Sequence, residues 1–130
     1  MKKTFTLIEL MLVVIIIGIL AGLVVPRLAG RAEKARKIAA KADVEVNIPQ
    51  ALDLYEMDTG SYPENLEDLV NGPAGEENWD GPYIKKTPKD PWGQAYHYKY
   101  PSERSIDYDL ASKGNDKVLD SEDDVTNWQE

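Results

Sequence analysis

The 130-residue chain contains no cysteine and only one histidine, His97. Without cysteine, no disulfide can close a small domain, so packing, a bound metal or assembly must stabilise it. The absence also removes redox chemistry as a guide to the cellular compartment. Since neither a thiol nor a second histidine is present, we expect no zinc site and no thiol nucleophile.

The chain is also poor in positive charge, with 15 lysine and arginine residues against 23 acidic ones and a net charge of −8. This balance argues against nucleic acid as a partner. The sequence contains no Ser/His/Asp pattern, no phosphate-binding loop and no isolated carboxylate pair for acid–base chemistry. We therefore expect a protein that is not an enzyme, with His97 on the polar face of a strand.

One long apolar run stands out at residues 5–25. Its 21 residues are enough to span about 30 Å of hydrocarbon as a helix. Glu9 lies inside this run, where a carboxylate is costly and by default marks a functional site. No cation lies within the run, so we expect processing or another molecule to supply the partner of Glu9.

The apolar run is expected to remain attached as a membrane anchor. It is long for a signal peptide, and no small-x-small cleavage site follows Val25. The flanking charge leaves the orientation open, because naive use of the positive-inside rule would put the large domain in the cytoplasm. The basic residues on the two sides are Lys2 and Lys3 before the run, and Arg27, Arg31, Lys34, Arg36, Lys37 and Lys41 after it.

Helical periodicity continues beyond Pro26. Small and apolar residues recur at spacings of four and three, which predicts one buried stripe of an amphipathic helix. Ile48, Leu52 and Tyr55 resume the apolar pattern, so we predict one interrupted helix over residues 5–57. The alternative is two helices that separate at residues 47–49, because the residue before a proline disfavours helical geometry. The stripe consists of Leu28, Ala32, Ala35, Ala39, Ala42 and Val46.

The rest of the chain predicts a small domain with one sheet. Residues 63–70 read as a short helix, and the loops of residues 58–94 include a tight turn at residues 90–93. Alternating tyrosines at residues 96–100 and the pattern at residues 106–110 predict two strands joined as a hairpin over residues 95–110. Trp79, Tyr83 and Ile84 are predicted to anchor the loops on the core. The expected fold class is α+β, a long N-terminal helix packed on a small antiparallel sheet with an ordered C-terminal loop.

The C-terminal segment is acidic, with five carboxylates between Asp116 and Asp124. Two interpretations are open. One is a solvated acidic tail. The other is a calcium site, because carboxylate, hydroxyl and carbonyl oxygens are the ligands that calcium prefers. Trp128 nearby would hold the segment against the domain if its ring is buried.

Several motifs together resemble the major pseudopilins of type II secretion systems, within the type IV pilin superfamily. The N-terminal one is the short basic leader followed by Phe-Thr-Leu-Ile-Glu at residues 5–9 and a long apolar helix. The others lie at residues 51–55, 60–63, 79–84, 90–93 and 108–116. The resemblance covers nearly the whole chain.

This resemblance implies a processing step and a partner for Glu9. In the family, a prepilin peptidase removes the leader, here residues 1–4, and methylates the new amine. Cleavage between Thr4 and Phe5 would leave Phe5 as an N-methylated first residue, whose amine would pair with Glu9 of a neighbouring subunit. Residues 5–25 would then form a transmembrane and filament-core helix. Residues 26–130 would form a domain on the periplasmic side of the inner membrane.

The resemblance also implies calcium, bound by the side chains of Ser112, Asp116 and Asp124 and the carbonyls of Leu110 and Val118, in a loop over residues 110–128. The chain departs from the family at three places. Thr4 replaces the usual glycine, for which we expect slow cleavage, with a tolerant peptidase or no cleavage as alternatives. Pro49 falls where the family helix is usually unbroken. The loop after Asp116 lacks the usual glycines, so Asp120 or Asp123 could replace Asp124.

We therefore expect a major pseudopilin subunit of a periplasmic filament that drives protein export. The family's partners are further copies of the chain, minor pseudopilins, the prepilin peptidase, the inner-membrane assembly platform and the outer-membrane secretin. The alternatives are a type IV pilus subunit for adhesion or motility, or a monomeric membrane-anchored calcium-binding module. Pilus subunits often close their C-terminal region with a disulfide, which this chain cannot form.

Overall fold

The computed structural model describes residues 2–128, so Met1 of the predicted leader and the last two residues, Gln129 and Glu130, lie outside the described residues. The described chain divides into two compact units, the first ending at Ala35 and the second beginning at Arg36. Helical structure comes first and a small antiparallel sheet last. The expected α+β fold class is therefore confirmed.

The first helix, α1, covers Leu7–Ala42 and carries the apolar run. Its apolar side chains are open to the surroundings, with Leu7 and Ile8 each 75% exposed. By length and composition this helix can cross a membrane, and none of its most apolar stretch is buried inside the protein. A soluble protein rarely exposes so large an apolar surface, so this part of the chain requires a lipid or protein environment.

Helical geometry continues from α1 through a π-helical segment at Asp43–Asn47 into a second helix, α2, at Ile48–Thr59. Ile48 keeps right-handed helical angles although it precedes Pro49, and its N–H donates to the Asp43 carbonyl five residues back. The prediction of one interrupted helix is confirmed, and the alternative of two helices that separate at residues 47–49 is not.

The π segment explains how the helix tolerates Pro49. A proline ring in a helix collides with the carbonyl four residues before it, here that of Glu45. A π turn is wider than an α turn and holds one additional residue. The wider turn gives the ring of Pro49 room without ending the helix.

The predicted buried stripe was wrong at every position, and its first three members, Leu28, Ala32 and Ala35, are exposed. Ala39 and Ala42 are exposed, and Val46 is 49% exposed. The helix instead buries Ala40 and Val44, followed by the residues that were predicted correctly, Ile48, Leu52 and Tyr55. The error has a physical cause, because the chain has alanine at both Ala39 and Ala40, and the spacing of small residues alone does not show which of the two faces the core.

Helix α2 ends at Thr59, where Gly60 takes the left-handed φ of 93° and its N–H donates to the Glu56 carbonyl at 2.7 Å. The short helix predicted over residues 63–70 is only a 3₁₀ turn at Leu66–Leu69. Asn65 and Asp68 form a capping box around it, and a capped turn of this kind closes without a longer helix.

The sheet has three antiparallel strands in the order β1, β2, β3, with the bounds His97–Lys99, Asp109–Ser112 and Val125–Thr126. Tyr98 lies opposite Leu110, and Ala111 lies opposite Thr126. Strand β3 was not predicted, because two residues are too short to show an alternating pattern. It pairs the end of the acidic segment with β2 and so fixes the loop between them.

The second strand was predicted from Ile106 but begins at Asp109, and Ile106 is 97% exposed. Asp109, which alternates with the apolar residues of this pattern, is only 1% exposed. Its carboxylate accepts hydrogen bonds from the backbone N–H groups of Glu103, Arg104 and Ser105. These three bonds fold the preceding residues into a loop, which is why the alternating pattern there did not become a strand.

The core lies between the helix face, the 3₁₀ turn and the tyrosines of the sheet region. Leu52, Leu69 and Leu110 are fully buried at its centre. Trp79, Tyr83 and Ile84 pack against it from the loops, which confirms their predicted role as anchors. The Tyr83 ring meets that of Tyr55 edge-on at 5.7 Å between centroids, a favourable arrangement of aromatic pairs.

Candidate functional site

Glu9 lies at the start of α1, where it forms a capping box with Thr6. The Thr6 N–H donates to Glu9 Oε2 at 2.9 Å, and the Glu9 N–H donates to Thr6 Oγ1 at 3.2 Å. The first N–H groups of a helix have no partner within it, so this exchange satisfies two of them. Within residues 2–128, no cation forms an ion pair with Glu9. Its charge is therefore available to a positive group from outside.

The predicted cleavage point lies just before this cap. Residues 2–6 have irregular backbone and exposed side chains, and Phe5 is 86% exposed. A peptidase needs an accessible segment without regular secondary structure, and the chain around Thr4 and Phe5 has both properties. The capping box starts only at Thr6, so removal of residues 1–4 would leave it complete.

The acidic C-terminal segment is folded. It runs from β2 to β3, and its two ends meet where Gly114 packs on the backbone of Asp123. A Cβ atom added to Gly114 would lie 2.4 Å from the Asp123 carbonyl oxygen, and Gly114 has a left-handed φ of 72°. Glycine is thus required at this position both for its conformation and for the close approach of the two segments.

The predicted ligands Leu110 and Ser112 lie at the sheet end of this loop. Ser112 is fully buried, donates from Oγ to Asp90 Oδ2 at 2.8 Å and accepts from the Gly114 N–H at 3.2 Å. The Leu110 carbonyl accepts from the Asn127 N–H at 3.0 Å. Both oxygens therefore already take part in hydrogen bonds that hold the loop to the sheet.

The other predicted ligands converge on a residue that the sequence did not single out, Ser121. The Ser121 Oγ lies 3.0 Å from the Val118 carbonyl oxygen and 3.1 Å from Asp124 Oδ1. The Val118 N–H and then the Ser121 hydroxyl lower the pKa of Asp116 below its usual range. One hydroxyl carries one proton, so Ser121 can satisfy only one of the two acceptors, the Val118 carbonyl and Asp124, at a time. The remaining oxygens keep lone pairs that a cation could use.

Asp120, one of the predicted alternatives to Asp124, is held elsewhere. It forms a bidentate ion pair with the guanidinium of Arg104, with 3.0 Å between Nη2 and Oδ2. This hydrogen-bonded pair lowers the pKa of Asp120. Asp124, in contrast, accepts from the backbone N–H groups of Asp120 and Ser121 and faces the Ser121 hydroxyl.

Trp128 fixes the end of the segment to the domain. Its ring is only 9% exposed, and the Arg104 guanidinium lies over it at 5.0 Å from the ring centroid. His97 meets the same ring edge-on at 6.3 Å, so the imidazole packs on a tryptophan. A cation over an indole face is attracted by the ring quadrupole.

The donor set is compatible with calcium in its chemistry. The predicted ligands offer oxygen atoms alone, which suits a hard cation. Across the part of the chain that the structure describes, no three acidic or histidine side chains come close enough to share a metal ion. A cation here would therefore depend on two carboxylates supplemented by hydroxyl and backbone carbonyl oxygens, which is the composition of the predicted set.

Two site residues escaped the sequence interpretation. Asp90 was assigned only to a turn, which is present, since the Gly93 N–H donates to the Asp90 carbonyl at 2.9 Å. Its carboxylate also accepts from Ser112 and from the N–H groups of Trp92 and Gln94. Ser121 stands among the five acidic residues of this segment, and nothing in the spacing of the sequence distinguishes it from any other loop serine.

Comparison with known families gives a match over residues 27–128 to the family described as type II secretion system (T2SS), protein G. The chain is 46% identical over 135 residues to the type II secretion system core protein G of Escherichia coli K12, with coverage of 98% of this chain and 91% of the relative. It is 44% identical to the protein of the same name from Pseudomonas aeruginosa, covering 98% and 95%.

A solved structure agrees with these relatives. The fold is similar to the crystal structure of the major pseudopilin from the type 2 secretion system of enterohaemorrhagic Escherichia coli, with a TM-score of 0.64 and 34% sequence identity. The match covers 79% of this chain and 95% of that one. Fold and sequence thus point to the same group of proteins.

Proposed function

The chain belongs to the protein G family of type II secretion systems, and we propose that it polymerises through its N-terminal apolar helix into a periplasmic filament that drives protein export. It is a major pseudopilin by its relatives and its fold, a structural component of the secretion machinery. The observation that carries the proposal is the apolar part of α1, whose most apolar stretch has no residue buried within the subunit. Assembly would bury that surface against other copies after the subunit leaves the membrane.

We propose that cleavage between Thr4 and Phe5 creates the partner of Glu9. The new amine, methylated by the prepilin peptidase, pairs with Glu9 of a neighbouring subunit. An isolated charge is costly in an apolar filament core, whereas an ammonium and a carboxylate compensate each other there. Two observations support this step. The Glu9 carboxylate accepts the capping hydrogen bond but forms no ion pair within residues 2–128. The backbone of residues 2–6 is exposed and irregular.

We further propose that the domain lies on the periplasmic side of the inner membrane, with α1 as a single anchor before assembly. This orientation opposes the naive positive-inside rule, since six basic residues follow the apolar run. The proposed orientation is supported by the chain's membership of the type II secretion family, whose machinery acts on the periplasmic side. Export would involve minor pseudopilins, the assembly platform and the secretin as partners.

Calcium is proposed to bind the C-terminal loop through Ser112, Asp116 and Asp124 and the carbonyls of Leu110 and Val118. Ser121 is added to this set, because its hydroxyl lies within hydrogen-bond distance of two of the proposed oxygen ligands, the Val118 carbonyl and Asp124. A bound divalent cation would offset the repulsion among the carboxylates of the loop. The loop residues themselves close the domain, through Gly114 on Asp123 and through Trp128.

The filament is tested by overproducing the full chain with its secretion machinery and examining negatively stained shear fractions. We expect filaments from the wild type, a mass spectrum that begins at methylated Phe5, and no filaments from Glu9→Ala. Glu45→Ala, at an exposed glutamate outside the apolar run, is the matched control and should assemble. Filaments at wild-type yield from Glu9→Ala, or an intact Met1 in assembled protein, would overturn the mechanism.

A further inference from the structure

No aromatic residue marks the C-terminal end of the apolar run. Membrane-spanning helices are held at the boundary between lipid and water by tryptophan and tyrosine or by lysine and arginine. Residues 6–54 contain no tryptophan, tyrosine or phenylalanine. Of the two kinds of boundary anchor, only basic residues are therefore present where the run ends.

Three of these basic residues share one side of α1, and we call Arg27, Arg31 and Lys34 the basic face. At 100° per residue they lie within about 60° of one another around the helix axis. All three side chains are exposed, and none of them forms an ion pair within residues 2–128. Three positive charges on one side of the helix thus have no negative partner in the described part of the subunit.

The one acidic residue of this stretch points away from the basic face. Residues 10–42 contain a single acidic residue, Glu33. Around the axis it lies about 120° from Arg27 and about 160° from Arg31, so its carboxylate is directed to another side of the helix. The basic face is therefore uniformly positive, and its ligand must be an anion.

The direction of the helix turns these side chains toward the apolar run. Side chains of an α-helix lean toward its N-terminus, and the apolar run is on the N-terminal side of the basic face. Arginine and lysine can lay their methylene stems along apolar surface and keep the charge among the headgroups. The helical orientation and the length of the side chains therefore favour the same contact.

Distance along the axis ranks the three residues. At 1.5 Å per residue, Arg27, Arg31 and Lys34 lie about 3, 9 and 14 Å beyond Val25. The charge of an anionic membrane surface is felt over about one Debye length, roughly 8–10 Å at physiological salt. Arg27 should therefore contribute most to binding at such a surface, and Lys34 least.

We propose that the basic face binds the phosphate groups of anionic phospholipids in the membrane that α1 spans. Two observations select this occupant. The face is opposite in charge to these headgroups, and it continues the apolar run on the same helix with only Pro26 between them. The contact fixes the depth of the subunit in the membrane and must break when the subunit leaves it. This inference rests on the proposed membrane anchor and gives a role to basic residues that oppose the positive-inside rule.

The lipid selectivity of the full chain measures this contact. The chain is placed in phosphatidylcholine vesicles with spin-labelled phosphatidylglycerol or spin-labelled phosphatidylcholine, and electron spin resonance gives the fraction of each probe held at the protein. We expect the wild type to hold phosphatidylglycerol at least fivefold more strongly, the equivalent of about 1 kcal/mol, which one basic residue contributes near an anionic surface. The triple variant Arg27→Gln, Arg31→Gln and Lys34→Gln should hold both probes equally, and glutamine preserves the helix.

A second triple variant is the matched control. Lys85→Gln, Lys86→Gln and Lys89→Gln change the net charge by the same amount at exposed positions outside α1 and should keep the wild-type preference. Among single changes, Arg27→Gln should lower the preference more than Lys34→Gln. A preference that survives the triple change on the basic face, or that the control abolishes as completely, would overturn the proposal.

Flotation of the same vesicles separates this contact from the proposed anchor. If the chain floats with the vesicles but shows no preference for phosphatidylglycerol, the anchor stands and the lipid contact fails. A chain that does not float with them removes both. If the triple change on the basic face abolishes filaments and leaves the lipid preference unchanged, a second copy of the chain occupies the face and the proposal fails.

Salt gives an independent measurement on the unaltered chain. The Debye length shrinks to about 3 Å at about 1 M salt. The preference for phosphatidylglycerol should therefore fall at least twofold there, whereas flotation should be unchanged because the anchor is apolar. A preference that high salt does not reduce would exclude charge as the basis of the contact.

Discussion

Val44 and Ile48 lie four residues apart across the wide turn of the π segment, and both are buried against the core, at 1% and 3% exposure. Ala40, four residues before Val44, is buried as well. In a regular α-helix, a residue eight positions on lies about 80° further around the axis. The π segment removes this drift and keeps all three side chains on one face.

Deletion of Val46 should therefore preserve the domain. Without this exposed residue, Ile48 would follow Ala40 by seven positions, which an α-helix places within about 20° of the same direction. The segment can then revert from π to α geometry, since a π bulge accommodates a single additional residue. We expect the thermal midpoint of the full chain in detergent to change by only a few degrees.

Deletion of Leu54 is the matched control. This residue is also about half exposed, at 50%, but it lies in regular α-helix within α2. Its removal rotates Tyr55 away from the core by about 100°. We therefore expect the deletion of Leu54 to abolish the cooperative thermal unfolding transition. If the two deletions destabilise the chain equally, the π segment is not a one-residue insertion that preserves the buried face.

The sequence was sufficient for the elements with strong periodicity and insufficient where neighbouring residues fit the pattern equally well. The apolar run, the long helix and the anchoring of Trp79 and Tyr83 follow from composition and spacing. The buried stripe at Ala40 and Val44 does not, because neighbouring small residues such as Ala39 fit a helical spacing equally well. Asp109 shows the same limit, since its carboxylate folds residues from the preceding loop and no pattern encodes those partners.

Glu9 has two roles that substitution can separate. Glutamine can retain the capping bond to the Thr6 N–H but carries no charge. Glu9→Gln should therefore keep the start of α1 intact and still abolish filament formation. Thr6→Ala removes the reciprocal cap and keeps the charge, so it should lower the stability of the helix start by about 1 kcal/mol and reduce assembly only partly. Amide hydrogen exchange at residues 6–10 and filament yield are the two measurements.

The opposite ranking of these variants would contradict the charge-pairing role. If Glu9→Gln assembles and Thr6→Ala does not, the capping box is what assembly requires. Thr59→Ala, at the other end of the helix, controls for general effects of a lost hydroxyl, since Thr59 Oγ1 donates to the Tyr55 carbonyl at 2.9 Å.

Gly114 should tolerate no side chain. Gly114→Ala combines a left-handed φ of 72° with a Cβ only 2.4 Å from the Asp123 carbonyl oxygen. The conformational cost alone is about 1–2 kcal/mol, and the collision adds to it. Gly75→Ala is the control, because Gly75 has a similar φ of 84° but no atom within 4 Å of its added Cβ. Urea unfolding followed by tryptophan fluorescence should show the larger loss for Gly114→Ala.

Asp109 should make the domain sensitive to acid. Burial by itself raises the pKa of this carboxyl, but the N–H groups of Glu103, Arg104 and Ser105 bring it below its usual range. A lowered folded-state pKa means that the carboxylate stabilises the fold fully above the unfolded pKa, about 4. That contribution is lost as the pH falls through the folded pKa. Stability should therefore decline below about pH 4.

Asp109→Asn removes this dependence. The amide cannot accept three hydrogen bonds as an anion does, so we expect a loss of about 1–3 kcal/mol at neutral pH and a flatter acid profile. Asp107→Asn, at an exposed neighbour, should leave the slope unchanged. If the stability of Asp109→Asn falls with pH as steeply as that of the wild type, other carboxyl groups cause the acid sensitivity.

Removal of calcium should loosen the C-terminal loop and lower the thermal midpoint of the whole domain. A cation that binds only the folded state adds about 2.7 kcal/mol at a hundredfold excess over its dissociation constant. For a domain of this size, each kcal/mol corresponds to roughly 4–8 °C. The thermal midpoints of the full chain in detergent, measured with calcium and with a chelator, should therefore differ by the number of degrees that this free energy implies. Wild-type midpoints that coincide would exclude calcium as a stabilising ligand.

Variants then identify the ligands. Asp116→Asn and Asp124→Asn should each abolish the difference between the two melting curves. Ser121→Ala should reduce it, because the Ser121 hydroxyl lies between the Val118 carbonyl and Asp124. Asp120→Asn should lower the midpoint equally with and without calcium, since Asp120 is paired with Arg104 and not with the Ser121 group. A calcium response lost only in Asp120→Asn would move the site to the Arg104 side of the loop.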